Sequence, residues 1–270
     1  MKTKLLAALV VLSLSLFGQR GVAAEPSAAA TELKALITKI QTKLREGEKT
    51  EANLAPELKE FDALLAKHKD EKTDEVAQIL FMKAMLYQQV LKDAAKGDAV
   101  MEQLQRDFPN SEPAKRMKQQ AEASKLRASL VEGSHFPDFD VKDTAGKPLS
   151  IANYKGKVVL LDFWATWCTP CVKELPKVIK TYEAYHKQGF EIIGISLDKE
   201  EQKLSSFTKE KNMTWAQYFD GLAWQNKLAV KYGVNSIPAT YLLDGQGDII
   251  GKDLRGEALE QGVAKALAKK

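Results

Sequence analysis

The sequence predicts two domains of different class. An all-α domain of helical hairpins spans residues 25–130, and an α/β domain with a central sheet flanked by helices spans 131–270. Three observations carry this. Apolar residues recur at spacings of three and four from Ala28 to about Leu130, with almost no strand pattern. Near Glu132-Gly133 the composition shifts toward Gly, Pro and Asp, and strand-like and helix-like segments begin to alternate. Val158–Trp164 is a nearly continuous apolar run, as a strand buried on both faces requires. With 270 residues, 44% hydrophobic and 28% charged, the chain has material for two ordinary domains, and neither disorder nor a collagen-like architecture fits.

In the first domain, Leu33, Leu36, Ile37, Ile40 and Leu44 mark one helix face, and Leu54, Leu58, Phe61, Leu64 and Leu65 mark a second. Pro56 suits that second helix's first turn. Val76, Ile79, Leu80, Met82, Leu86, Val90 and Leu91 form a longer segment. Gly97 is expected to break the pattern before a helix carrying Val100, Met101, Leu104 and Phe108, which Pro109-Asn110-Ser111 ends; a weakly apolar helix covers 112–129. Short connections favour antiparallel hairpins. The stretch Ala77–Ser111, with Ala84, Leu86, Tyr87, Ala94, Ala95 and the closing Asp107-Phe108-Pro109-Asn110-Ser111, resembles one tetratricopeptide-type repeat. It lacks the repeat's tryptophan, and no second copy follows at a fixed period. Such a unit would dock a partner; a helical spacer or dimerisation element is the plain alternative.

The second domain reads as a strand at Val158–Trp164, a helix at Thr169–Lys187, a strand at Phe190–Leu197 and a helix at Lys199–Lys211. A weaker strand at Met213–Phe219, a helix at Leu222–Tyr232 and a strand at Thr240–Leu243 follow. Asp244-Gly245-Gln246-Gly247 turns the chain into a strand at Asp248–Gly251, and Glu257–Ala268 closes it as a helix. The boundary between the domains falls around 130–135.

The first 24 residues read as an address. Lys2 and Lys4 precede an apolar run from Leu5 to Phe17, and Val22-Ala23-Ala24 supply small residues, the order of a secretory signal peptide cleaved after Ala24. The run falls short of the ~20 residues that cross a bilayer core, so the mature chain is expected to be exported to the periplasm without a membrane span. Beyond this leader the charges balance. Residues 25–130 hold 18 basic and 18 acidic side chains and 131–270 hold 19 and 18, which disfavours a phosphate-tracking, nucleic-acid-binding surface.

Only two cysteines occur, Cys168 and Cys171. As a structural staple they are poor, because a four-residue ring contributes roughly 2 kcal/mol against about 3 for a fifteen-residue loop. Two thiolates also fall short of a tetrahedral zinc site, and none of His68, His135 and His186 lies at ligand spacing from them. No metal and no cofactor is expected beyond the pair itself. A reactive dithiol is the better reading. Cys168-Thr169-Pro170-Cys171 sits where a buried strand gives way to a helix, so the first sulfur meets unpaired N–H groups and the positive end of the helix dipole, which favour thiolate. Pro170 suits a first helical turn. Cys168 is then the exposed nucleophile and Cys171 the buried resolving thiol.

The segment Asp162-Phe163-Trp164-Ala165-Thr166-Trp167-Cys168-Thr169-Pro170-Cys171 resembles the active-site segment of thioredoxins. With the Lys155-Gly156-Lys157 lead-in, Glu174 and Pro176 after the cysteines and the helix–strand insert at 199–219, residues 133–270 are most similar to the TlpA/ResA-like exported thioredoxins. The resemblance implies a thioredoxin-like fold with a mixed sheet and a thiol:disulfide oxidoreductase activity. It matches Ser236-Ile237-Pro238-Ala239-Thr240 to the family's cis-proline loop, which places Pro238 beside the sulfurs and the Ile237 backbone against an extended substrate. Trp167, Thr169 and Pro170 would border the same substrate. It further implies a membrane thiol-electron donor and protein disulfide substrates such as apocytochrome cysteines or copper-site assembly proteins.

Two acids compete for proton transfer. Asp162, in the apolar strand, would have a raised pKa and could take the proton of Cys171. Many TlpA/ResA-like proteins carry asparagine there, so this position departs toward ordinary thioredoxin. Glu174 lies one helical turn beyond Cys171 and, by the resemblance, matches the acid that relatives keep near the thiols; a solvated helix face is its plain alternative. Trp164 reads largely as core. A peroxidase fits poorly, because Leu161 and Ala165 replace the Pro and Thr that peroxiredoxins place before their cysteine. A disulfide oxidant or isomerase, and a helical adaptor with an accessory redox fold, are the remaining alternatives.

Overall fold

The computed structural model describes residues 25–269, and the leader assigned to residues 1–24 lies outside them. The chain forms two compact units that divide between Lys118 and Gln119.

In the first unit, α1 (Ala28–Glu46) buries Leu33, Leu36, Ile37, Ile40 and Leu44, the face its spacing predicts. The Ser27 side chain accepts from the Ala30 N–H at its start, and Gly47 closes it in the left-handed region at φ 94°. Helix α2 (Ala55–Lys67) carries Pro56 in its first turn and buries Leu58, Phe61 and Leu64. Helix α3 (Asp74–Met85) continues into a π-helical segment, Leu86–Leu91, that ends at Lys92 with φ 59°. Helix α4 (Ala94–Asp107) runs straight through Gly97, contrary to the break expected there. The reason is packing: a Cβ at Gly97 would lie 3.3 Å from the Ala84 carbonyl and strike the Gln88 side chain. Glycine is there to let two helices approach, and Asp93 caps the start by accepting from Lys96 N–H at 3.0 Å. The repeat-like stretch Ala77–Ser111 takes in the later turns of α3, the π segment and α4, and ends in the residues just past α4.

Helix α5 (Glu112–Ser129) matches its predicted span. Its later turns belong to the second unit, so the packing divides before the change in composition at 130–135. Leu130 is buried in the second unit's core, and Leu126 packs against that core.

The second unit is built on five strands in the order β5-β4-β3-β6-β7. After a small ribbon of β1 (Val141–Lys142) and β2 (Pro148–Leu149), which the sequence did not signal, β3 (Val158–Trp164) takes the central place. All seven of its residues are buried. It pairs parallel with β4 (Phe190–Ser196) and antiparallel with β6 (Ala239–Leu243). Strand β5 (Ala216–Tyr218) lies parallel beside β4, and β7 (Ile249–Lys252) antiparallel beside β6, so the sheet is mixed.

Helix α6 (Thr169–Tyr185) leaves β3 through the cysteine motif, and α9 (Glu257–Leu267) packs on α6 and β3. Helix α7 (Glu201–Glu210) follows β4. The predicted helix 222–232 is instead a 3₁₀ turn, Ala223–Gln225, and a short α8 (Lys227–Lys231), because Asn226 caps anew by accepting from Leu228 and Ala229 N–H. The Phe163 side of β3 meets Tyr232 and Tyr241 edge-on, with ring centroids 6.5 and 6.4 Å away.

Candidate active site

The end of β3 and the start of α6 place the cysteines. Cys168 is the N-cap residue of α6, with φ −81° and ψ 95°, and its sulfur accepts from the Cys171 N–H at 3.3 Å. This is the helix-mouth geometry in which donors are aimed at the first sulfur. Cys168 and Cys171 form a disulfide, with Cα atoms 5.3 Å apart. Both are buried, at 4% and 7% exposure, so the contrast expected between an exposed Cys168 and a buried Cys171 is absent in this closed form. Each sulfur covers part of the other. Thr169 and Pro170, by contrast, are exposed at the surface beside them.

The loop before Cys168 is held by a residue the sequence reading did not single out. Asp198, just past β4, accepts from the Thr166 N–H at 3.1 Å, from the Thr166 hydroxyl at 2.6 Å and from the Ser196 hydroxyl at 2.8 Å. It is buried, at 2% exposure. An acid ending a strand with no polar residue before it but Glu191 and Ser196 was the available signal. Trp164 is core, as expected, and its Nε1–H donates to Gln217 Oε1 at 3.0 Å. Gln217 reaches across β4 because Gly194 has no side chain; a Cβ there would collide with the Gln217 amide.

Asp162 faces a small cavity lined also by Trp164, Cys171, Glu174, Pro238, Thr240 and Arg255. The space open to water centres is about 20 Å³, enough for roughly one water molecule. Burial pushes the Asp162 carboxyl up to about 6, against the opposing pull of the Arg255 charge. Asp162 and Cys171 thus border one small space. Glu174 borders it too, but its Oε2 accepts from the Gly256 N–H at 3.1 Å, which ties α6 to the turn before α9.

The Ile237–Pro238 peptide bond is cis, and Pro238 shares the cavity with Cys171. The Arg255 guanidinium bonds the Pro238 carbonyl at 2.8 Å and the Thr240 hydroxyl at 2.7 Å. Trp167 is half-exposed, and its ring lies 6.1 Å from that of the half-exposed Trp224. Arg255 and Trp224 lie far along the chain from the cysteines, and no local motif pointed to them. Among the described residues, no group of three His, Cys, Asp or Glu side chains could hold a metal ion.

A profile described as the AhpC/TSA family matches residues 133–252. The thiol-disulfide oxidoreductase ResA of Bacillus thuringiensis subsp. konkukian is 32% identical over 137 residues, which cover 51% of this chain and 77% of that protein. This chain belongs to the ResA family of thiol-disulfide oxidoreductases. ResA of Bacillus subtilis is 32% identical over 124 residues, covering 46% of this chain and 68% of its own. The crystal structure of the thioredoxin domain of a thiol-disulfide oxidoreductase from Bacteroides vulgatus is 35% identical with a TM-score of 0.47, and covers 51% of this chain and 98% of that one. The ResA-like part has a thioredoxin-like fold with a mixed sheet, and its enzyme class is thiol:disulfide oxidoreductase.

Proposed function

We propose that the protein is an exported reductase of protein disulfides that works through Cys168 and Cys171. The observation that carries this reading is the pair's position, with Cys168 at the N-cap of α6 and the Cys171 N–H directed at its sulfur. In the reduced protein those donors and the helix dipole favour a Cys168 thiolate. The thiolate attacks one sulfur of a substrate disulfide, forming a mixed disulfide and expelling the other substrate sulfur as a thiolate. Cys171 loses its proton to the Asp162 carboxylate, directly or through one water in the shared cavity, and attacks Cys168. That step forms the Cys168–Cys171 disulfide and releases the second substrate thiol. The substrate gains two electrons and the protein loses two, so a thiol donor at the membrane must reduce the pair again.

The substrate lies along the Ile237–Pro238 loop, flanked by Trp167, Thr169 and Pro170. The paired rings of Trp167 and Trp224, at 51% and 44% exposure, offer an apolar seat for a polypeptide beside the sulfurs. Glu174 acts through structure, holding the turn before α9. We assign this chemistry to the domain 131–270, with 25–130 as a helical domain serving as a spacer or docking element. Export rests on the leader pattern; among the described residues, no helix is long and apolar enough to cross a membrane. A peroxidase is disfavoured, because the hydroxyl nearest in sequence before Cys168, on Thr166, is already committed to Asp198.

Insulin reduction tests the reading. The wild-type protein should reduce insulin with little peroxide consumption, and Cys168→Ser should abolish it; survival of activity in that variant removes Cys168 as the nucleophile. An equilibrium potential against glutathione decides direction, strongly negative for a reductant and mild for an oxidant or isomerase.

A further inference from the structure

Arg255 sits where three parts of the site meet. Its Nη2 donates to the Pro238 carbonyl at 2.8 Å, on the loop beside the sulfurs. Its Nη1 donates to the Thr240 hydroxyl at 2.7 Å and to the Leu254 carbonyl at 2.8 Å. The same side chain lines the cavity bordered by Asp162, Cys171 and Glu174. The turn that carries it is fixed on both sides. Gly256 donates to Glu174, the Asp253 N–H donates to the Thr240 carbonyl at 2.9 Å, and the Thr240 N–H donates to Asp253 Oδ1 at 3.1 Å. Such a web holds a guanidinium in one place.

We propose that Arg255 is a positioning residue of the dithiol site: its fork fixes the Ile237–Pro238 loop for substrate, and its charge faces the buried Asp162 carboxylate that receives the Cys171 proton. The inference rests on the proton-transfer role given to Asp162 above. The groups facing Asp162 are few. Helix α6 presents Cys171 and Glu174, β6 the uncharged Thr240, β4 Gly194, α9 Leu259, and the turn before α9 Arg255 with Asp253 behind it. Arg255 is the one cation among the described residues that line this cavity. Burial alone works against an ionised Asp162, and the Arg255 charge works the other way. The two roles are separable. A lysine would keep the charge, but a single ammonium cannot reproduce the planar fork that meets the Pro238 carbonyl and the Thr240 hydroxyl together.

The test follows the Asp162 carboxyl carbon by NMR through a pH titration of the reduced full-length protein, with Asp162→Asn identifying the signal. The KM for insulin is measured alongside. Arg255→Met should raise the titration midpoint by about one pH unit, the scale of a partly screened charge pair, and should raise KM. Arg255→Lys should leave the midpoint near that of the wild type while KM still rises. If Arg255→Met does not fold, Arg255→Gln serves as the neutral variant. A midpoint unmoved in the neutral variant, a lysine variant that shifts as far as the neutral one, or an unchanged KM in both overturns the proposal. Because the titration needs no turnover, it remains readable even if Cys168→Ser were to keep activity and the dithiol mechanism itself failed.

Discussion

Asp198 and Thr166 are joined twice, the carboxylate of one accepting both the backbone N–H and the hydroxyl of the other, at 3.1 and 2.6 Å. Through this pair the end of β4 sets the loop that delivers Cys168 to the mouth of α6. Replacing Asp198 by Ala strands the buried Ser196 hydroxyl and the half-buried N–H and hydroxyl of Thr166, and is expected to cost about 2 kcal/mol of stability. Asp198→Asn keeps acceptor capacity and should cost less. Chemical denaturation of both variants, with insulin reduction measured beside it, checks this; equal stability of Asp198→Ala and wild type would show that the pair carries no load.

Asp162 has a stability signature of its own sign. Its folded pKa, about 6, lies above the ordinary 3.8, so its contribution is fully present below 3.8 and is lost as pH rises through about 6. Near neutrality Asp162→Asn should therefore be more stable than wild type, by up to about 3 kcal/mol, with the difference gone at about pH 3.5. The same variant should lose the inflection near pH 6 in the rate at which Cys171 resolves a mixed disulfide. Melting curves across pH and stopped-flow resolution rates measure the two effects.

The helical unit contains a second titrating cluster. Buried His68 bonds Glu32 at 3.0 Å and Glu71 at 2.7 Å. These side-chain hydrogen bonds, first to Glu32 and then to Glu71, raise the His68 pKa above 6.5. Hydrogen bonds from Lys67 and then His68 hold Glu32 below its usual 4.5. The histidine's contribution is full below 6.5 and is lost as pH rises through its folded pKa. That of Glu32 is full above 4.5 and is lost as pH falls through its lowered one. His68→Gln should thus lower Tm most at about pH 5.5 and much less at about pH 9. A difference independent of pH would mean the cluster is held by packing alone.

Trp224 offers a test of the substrate seat. Trp224→Ala should raise the KM for insulin by about 2- to 10-fold, the range of one aromatic pairing, with little change in Tm because the ring is half-exposed. An unchanged KM would place the substrate elsewhere.

Much of this molecule was legible in one dimension. The buried strand Val158–Trp164 and the helix beginning at Thr169 declare themselves by period and by their breakers, because local sequence and burial agree there. Gly97 misled, since a glycine that lets helices touch looks the same in sequence as one that ends a helix. The short β1–β2 ribbon had too few residues to show a period. At the site, Cys168, Cys171 and Asp162 were visible in a single segment. Arg255, Asp198 and Trp224 were not, because their roles exist only once the end of β4, the 3₁₀ turn Ala223–Gln225, β6 and the turn before α9 are brought beside that segment.

The alkylation of Cys168 tests the central claim most directly. The rate at which iodoacetamide modifies the reduced protein, followed against pH and located by mass spectrometry, should rise with a midpoint at or below about 7.5, clearly under the ~8.5 of a free thiol. A Cys168 midpoint equal to that of a free thiol in water would contradict the account.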